Sequence, residues 1–536
     1  MNLRRGEHRW NFAGRIRGVL LLPLVTVVVI DGQPVSIAPA TMPRLVVVDE
    51  RFQSYNVEMV EITGGRFWKP YADQREAAAK KAAAANQPGG TPAGINPDLF
   101  EYRPPIDLSD ARLRKLAAAL GPAYIRVSGT WANTVFFHDS DDPPPQKPPE
   151  GFNAVLTRQQ WKGVIEFARA VDGRIMTSFA VGPGTRDSAG VWTPEQARRV
   201  LAYTEAVGGS IAATEFMNEP NYAAMGGAPK GYNAEAYATD VRVFRSFIKD
   251  AAPGALFLGP GSAGEGGVLA TTAMPGRLKT EDLLKATGPV YDAFSYHLYA
   301  AVSQRCASGA PALGTTPADA LSQEWLSRPD KVHAVYADMR DRFEPGKPLW
   351  VTETADAACG GNPWASTFLD TFRYVNQHGR LAQKGVKVIA HNTLSASDYG
   401  LLEERTFTPR PNYWAALLWR RLMGRTVLNP GPAPGSDLYE YAHCMRDRPG
   451  GVTVLTINAA KTPQDMSAPM DGDRYTLTAK ELESRAVELN GRELQAGKDG
   501  SLPSIAGAPV RAGRFVVPAT SITFLTFPQA RNEACQ

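Results

Sequence analysis

From about residue 50 to residue 425, short apolar runs alternate with segments whose apolar positions recur every three or four residues. The short runs read as strands: Phe52–Met59, Ala123–Ser128, Arg174–Ala180, Ile211–Met217, Ala255–Gly259, Ala293–Tyr299, Leu349–Thr354 and Lys387–Thr393. The periodic segments read as helices. Ser109 precedes Ala111–Leu120, and Thr157 with Gln160 forms a capping-box pattern before Trp161–Val171. Thr193 and Pro194 open Glu195–Val207, and further helices are expected over Ala234–Ala251, Val332–Phe343, Phe368–Lys384 and Tyr413–Met423. Eight strand–helix units over residues 50–424 predict a (β/α)8 TIM barrel. No glycine-rich phosphate loop follows the first strand, which disfavours a dinucleotide fold.

After Gly424 the texture changes to short β-rich runs punctuated by Gly, Pro, Asn and Asp: Leu438–His443, Val452–Ile457, Tyr475–Leu477, Arg485–Leu489, Arg514–Val517 and Ser521–Thr526. Residues 425–536 therefore predict a small antiparallel β-sandwich. Val35–Val48 is also strand-like, and residues 41–49 are expected to add an N-terminal strand to it. The Ala-rich then Pro/Gly-rich stretch Ala72–Gly94 and the Pro-rich stretch Asp142–Pro149 read as exposed insertions.

Residues 1–18 carry five Arg and one Glu, followed by the apolar run Val19–Ile30. This is the layout of a secretory leader over residues 1–40, with Ala38 and Ala40 as candidate cleavage points. The run is short for a membrane span. Secretion or a periplasmic location is the expectation, with no stable membrane span in the mature chain. The 536 residues are 43% hydrophobic and 21% charged, with a net charge of +4 and no basic–aromatic stripe, which gives no footprint for nucleic acid. The chain is expected to be a monomer.

Two acidic motifs stand at strand ends. Asn218-Glu219-Pro220 follows the fourth strand, and Glu353 ends the seventh within Trp350-Val-Thr-Glu-Thr354. Carboxylates at the carboxyl ends of barrel strands are placed for chemistry. A pair of them fits glycosidic cleavage, with one acid and one nucleophile or base. Asn218 could bond a sugar hydroxyl beside the reacting carbon. Arg126 on the second strand could hold the nucleophile ionised by charge pairing. Tyr296, His297 and Tyr299 end the sixth strand and could orient Glu353. Cys359-Gly360-Gly361 offers backbone N–H groups to an anion.

Cys306, Cys359, Cys444 and Cys535 lack metal-ligand spacing, and four cysteines allow three pairings. Cys306 and Cys359 fall after strands six and seven, while Cys444 and Cys535 fall in the sandwich and tail. Pairing 306–359 and 444–535 is the most local arrangement for an exported chain.

Five segments together resemble glycoside hydrolase family 79, the heparanase and β-glucuronidase family. They are Gly121–Trp131, Phe216–Asn221, Tyr296–Tyr299, Trp350–Asp356 and Asn412–Trp419. The resemblance implies a retaining mechanism with Glu219 as acid/base and Glu353 as nucleophile, needing no metal and no cofactor. It implies that Asn218 meets the sugar 2-hydroxyl and that His297 and Tyr299 stand near the nucleophile. It also implies that Gly360 and Tyr399 hold a glucuronate carboxylate and that Thr130 and Glu58 touch sugar hydroxyls. The expected partner is a glucuronate-containing oligo- or polysaccharide. The chain departs from the heparanase pattern in a shorter glycine run after the nucleophile. A neutral-sugar glycosidase of the same clan and a silent carbohydrate-binding protein are the alternatives.

Overall fold

The computed structural model describes residues 34–71, 92, 95–267, 276–307, 311–432, 435 and 437–536. Most of the Ala-rich insertion and the first 33 residues lie outside them. Eight parallel strands close into a barrel: β1 (Gln53–Asn56), β2 (Ala123–Val127), β3 (Gly173–Thr177), β4 (Ile211–Glu215), β5 (Leu256–Ala263), β6 (Ala293–Tyr299), β7 (Leu349–Ala355) and β8 (Val388–His391). Ile389 of β8 pairs with Gln53 of β1 and completes the closure. All eight expected strands are present. Inside the barrel, Tyr124, Met176, Ala213, Leu258, Ala293, Trp350 and Val388 pack into one apolar layer. Each comes from a different strand, so the barrel interior is filled rather than hollow.

The helices start where side chains satisfy free N–H groups. Thr157 and Gln160 close a capping box on Arg158–Ala170, and Asn233 caps Ala234–Ala251. Ala111–Leu120 is capped by Asp110 rather than by Ser109, whose hydroxyl is bonded to Asp107 instead. Glu195–Ala206 is preceded directly by Pro194 at the cap position, and the Thr193 hydroxyl bonds back to Thr185. The helix after β6 spans Gln323–Phe343 and starts well before the expected Val332, where Ser322 caps it, and it accommodates Pro329 inside. Thr280–Thr287, between β5 and β6, was not expected from the sequence.

Two small sheets rise from the loops. Gly65–Trp68 pairs antiparallel with Phe100–Arg103 after β1. Val135–His138 pairs parallel with Ala154–Thr157 after β2.

The second unit is built from two sheets. The larger runs Arg44–Val47, Met423–Leu428, Leu438–Met445, Val452–Asn458, Ser521–Phe527 and Gly472–Thr478, then continues into short edge strands. The smaller orders Val35–Ser36, Gln464–Ala468 and Gly513–Val517. Successive side chains alternate between faces, as a strand dictates. Val454 and Leu525 pack with Met466 and Val517 between the sheets. Leu455 and Phe524 face the barrel and join its core. The Tyr441 hydroxyl donates to Asn376 Oδ1 at 2.6 Å across that junction.

One boundary moves. Val35 and Ser36 pair with Met466 and Ser467, Ile37 is buried, and Asn532 Nδ2 donates to the carbonyls of Pro39 and Met42. Residues 34–40 thus belong to the sandwich, and a leader ending at Ala38 or Ala40 would remove part of its core. The expected leader run lies outside the described residues. No helix among the described residues is long and apolar enough to cross a membrane.

Both expected disulfides are present. Cys306–Cys359 joins the loops after β6 and β7, with Cα atoms 6.4 Å apart. Cys444–Cys535 fastens the chain end to the sandwich at 5.3 Å.

Candidate active site

Directly beyond the apolar layer the barrel turns polar. Arg126 is two residues past Tyr124 on β2 and so points inward as well. Its guanidinium is fully buried and every edge is used. Nε and Nη2 meet Glu215 Oε2 at 3.0 and 2.9 Å. Nη1 donates to Glu353 Oε2 at 2.8 Å, and Nη2 donates to Asn218 Oδ1 at 2.9 Å. The same Nη2 lies 3.2 Å from His297 Nε2. Glu215 is held in turn by the hydroxyls of Ser295 and Thr352, each 2.8 Å from Oε1. A single fixed cation thus positions residues from β4, β6 and β7. The sequence reading assigned Arg126 to Glu353 and gave Glu215 no role.

Glu353 receives a second hydrogen bond, from the Tyr299 hydroxyl to Oε1 at 2.7 Å. Burial alone would raise its carboxyl. The positive charge of His297 and Arg126, with the hydrogen bonds from Tyr299 and Arg126, outweighs burial and holds it below the ordinary carboxylate range. Burial likewise works against ionisation of Glu215, and Arg126 overrides it. Glu219 follows β4 with φ +48°, a left-handed backbone that non-glycine residues seldom adopt and that concentrates at functional sites. Its Oε1 lies 2.9 Å from His297 Nδ1. Asn133 clamps the preceding residue, accepting from the Asn218 N–H and donating to its carbonyl. One carboxylate oxygen each of Glu219 and Glu353 and a ring nitrogen of His297 all lie within 4.8 Å of one another. Such a trio could span a cation, but the Arg126 guanidinium already supplies positive charge there.

The acids open into a narrow cavity of about 140 Å³. Glu58, Thr130, Asn218, Tyr299 and Tyr399 line it, as expected. Glu58 is buried, and burial followed by the negative charge of Glu353 pushes its carboxyl well above the ordinary range. A side chain at Gly129, where φ is +92°, would overlap the Glu58 carboxylate. Gly360 does not line the cavity. Its Cα faces Trp68 and the Ser397 hydroxyl, and Ala358 and Cys359 form the wall instead. The unexpected walls are Phe67 and Trp68 of the β1 hairpin, Trp131, Tyr222 and Asn392. A roomier groove of about 890 Å³ lies at the amino ends of β3–β5. It contains neither acid of the pair.

No family model matches the chain. Heparanase-like protein 1 of Arabidopsis thaliana is 27% identical over 489 residues, which cover 80% of this chain and 86% of that protein. Baicalin-beta-D-glucuronidase of Scutellaria baicalensis is 33% identical over 165 residues, 29% of this chain and 31% of that protein. These similarities, spread over four fifths of the chain, support the resemblance to the heparanase and β-glucuronidase family. Among solved structures, a 4-O-alpha-L-rhamnosyl-beta-D-glucuronidase from Fusarium oxysporum 12S has a TM-score of 0.61 at 12% identity, covering 92% of this chain and 100% of that one. That likeness extends the shared fold to the barrel and sandwich together. The chain is a glycoside hydrolase, and carbohydrate is its substrate.

Proposed function

We propose that this protein is an exported, monomeric retaining β-glucuronidase acting on β-D-glucuronide linkages of glucuronate-containing oligo- or polysaccharides. One observation carries the mechanism: two carboxylates with oxygens within 4.8 Å, one held ionised by a buried arginine. Retaining glycosidases need their carboxyls about 5–5.5 Å apart, close enough for direct attack on the sugar. Glu353 attacks the anomeric carbon while Glu219 gives its proton to the departing oxygen. The bond to the leaving group breaks and a glucuronyl–Glu353 ester forms. Glu219, now a carboxylate, takes a proton from water, which attacks the same carbon and releases Glu353. Asn218, fixed by Arg126 and Asn133, meets the 2-hydroxyl.

Carboxylate recognition rests on the turn after β7. Cys359, Gly360 and Gly361 have successive φ values of +68°, +79° and +82°. The carbonyls of Ala358, Cys359 and Gly360 accept from Ser303 N, Ser303 Oγ and Ser397 Oγ. With the carbonyls tied back, the N–H groups of residues 359–361 have no acceptor among the described residues. Consecutive free N–H groups form an anion-binding concavity; Cys359 brings its edge to the cavity wall, and the Tyr399 hydroxyl adds a donor. Glu58 is kept neutral by burial, so it does not repel a uronate. Two disulfides fit an oxidising compartment. The exposed large apolar residues Leu45, Tyr102, Leu256 and Val516 are scattered, which fits a monomer.

A neutral-sugar β-glycosidase is the second reading, favoured by the absence of Lys and Arg among the described cavity-lining residues. Comparing kcat/KM on aryl β-glucuronide and aryl β-glucoside decides between them. A preference for glucuronide of at least about tenfold is expected from one charge-assisted bond. Equal or reversed values would sink the glucuronidase reading. An α-configured first product would sink the retaining mechanism.

A further inference from the structure

Asn392 follows β8, is buried and lines the cavity. Its Nδ2 lies 3.2 Å from the Tyr299 hydroxyl and 3.2 Å from the Tyr399 hydroxyl. An amide NH2 has two hydrogens and only donates, whereas a phenol has one hydrogen to give. The Tyr299 hydrogen is committed to the carboxylate of Glu353, which only accepts. The Tyr299 oxygen must therefore accept from Asn392. This settles which end of the amide faces the tyrosines, because Oδ1 in that place would confront an oxygen with no hydrogen to offer. The same NH2 group then meets Tyr399 as a donor. The Tyr399 hydrogen is turned away from Asn392, and no other acceptor among the described residues takes it. Burial first, then the negative charges of Glu353 for Tyr299 and of Glu58 for Tyr399, keep both phenols protonated.

We propose that Asn392 sets the direction of both tyrosine hydroxyls, Tyr299 toward the nucleophile and Tyr399 into the cavity toward the substrate carboxylate. It is a positioning residue for glucuronide specificity, acting through Tyr399. One amide thereby links the group that orients Glu353 with the group that reads the sugar. The carboxylate arm rests on the glucuronidase reading, and the Tyr299 arm does not.

The test is a cycle of Asn392→Leu, Tyr399→Phe and the double variant, each measured on aryl β-glucuronide and aryl β-glucoside. Asn392→Leu keeps the bulk and removes the donor. The ratio of the two kcat/KM values should fall by about tenfold, as for loss of one hydrogen bond to a charged group. Tyr399→Phe should lower it by a similar factor, and the double variant by no more than Tyr399→Phe alone. A residue that merely supports the fold would depress both substrates together and leave the ratio unchanged. An unchanged ratio, or losses that multiply in the double variant, would overturn the proposal. If Asn392→Leu does not fold, Asn392→Asp replaces it. Its carboxylate accepts the Tyr399 hydrogen, so the ratio should fall further as the pH is raised, and a pH-independent ratio would overturn the proposal. A wild-type enzyme without preference for glucuronide would overturn the substrate reading, and the carboxylate arm with it, before any variant is made.

Discussion

Arg126 and Glu353 are joined by a 2.8 Å hydrogen bond, and Glu215 binds another edge of the same guanidinium. Glu215 therefore shares the cation that tunes the proposed nucleophile. Glu215→Gln removes a negative charge, leaving Arg126 to act more fully on Glu353. The Glu353 carboxyl should drop further, and the acidic limb of the kcat/KM profile should move to lower pH. A less basic nucleophile should also lower kcat. Breaking one side of a buried ion pair costs about 3–5 kcal/mol, so Tm should fall as well. An acidic limb and kcat that match the wild type would remove Glu215 from the catalytic arrangement.

The two acids should fail differently. Glu353→Gln keeps shape but cannot attack, so turnover should vanish while circular dichroism stays native. Retained activity on an aryl glucuronide would refute the nucleophile. Glu219→Ala should still form the covalent intermediate from substrates with good leaving groups, then stall. Azide should rescue it and give the β-glycosyl azide. An α-azide would place the attack on the wrong face.

Glu58 gives the site an alkaline limit that depends on substrate. Its carboxyl titrates well above the ordinary range and is neutral below that point. As pH rises through it, a negative charge appears in the cavity wall. KM for an aryl glucuronide should then climb, while KM for an aryl glucoside should change much less. Glu58→Gln cannot ionise and should flatten the climb. Parallel pH profiles for both sugars would show that Glu58 does not face the uronate.

The disulfides should separate stability from catalysis. Cys444 and Cys535 are 91 residues apart in sequence, and neither lines the cavity. Replacing both by Ser should cost about 2–4 kcal/mol of stability and leave kinetic constants unchanged. Cys359 lines the cavity, so replacing Cys306 and Cys359 should also raise KM for glucuronide. Equal KM values in both double variants would detach the 359–361 turn from substrate binding.

The eight barrel strands were legible because each is a short apolar run between turn residues, and both acids because they end such runs. The positions of His297, Tyr299 and Arg126 followed from the same register. Glu215 was hidden by its place within the Ile211–Met217 run, where an acid reads as an interruption rather than as a ligand of Arg126. The cavity wall of Phe67 and Trp68 was obscured because its partner strand, Phe100–Arg103, lies beyond the low-complexity insertion. Asn392 gave no signal, since its role depends on bringing Tyr399 of its own loop together with Tyr299 at the end of β6. Gly360 was expected at the carboxylate from the glycines that follow the nucleophile and from the family resemblance. The backbone rotation at Cys359 puts its neighbours Ala358 and Cys359 on the cavity wall instead.

The sandwich draws strands from both ends of the chain, with Arg44–Val47 pairing to Met423–Leu428 and Val35–Ser36 to Gln464–Ala468. During synthesis the first strands therefore emerge long before their partners. About 380 residues separate Val47 from Thr426, which at about 5–20 residues per second is roughly 20–80 s of waiting. The barrel has to settle while the sheet that covers Phe368–Gln383 is still being made. The apolar flank of that helix is exposed for this interval, so a ribosome stalled between residues 425 and 520 would display it as a target for chaperones.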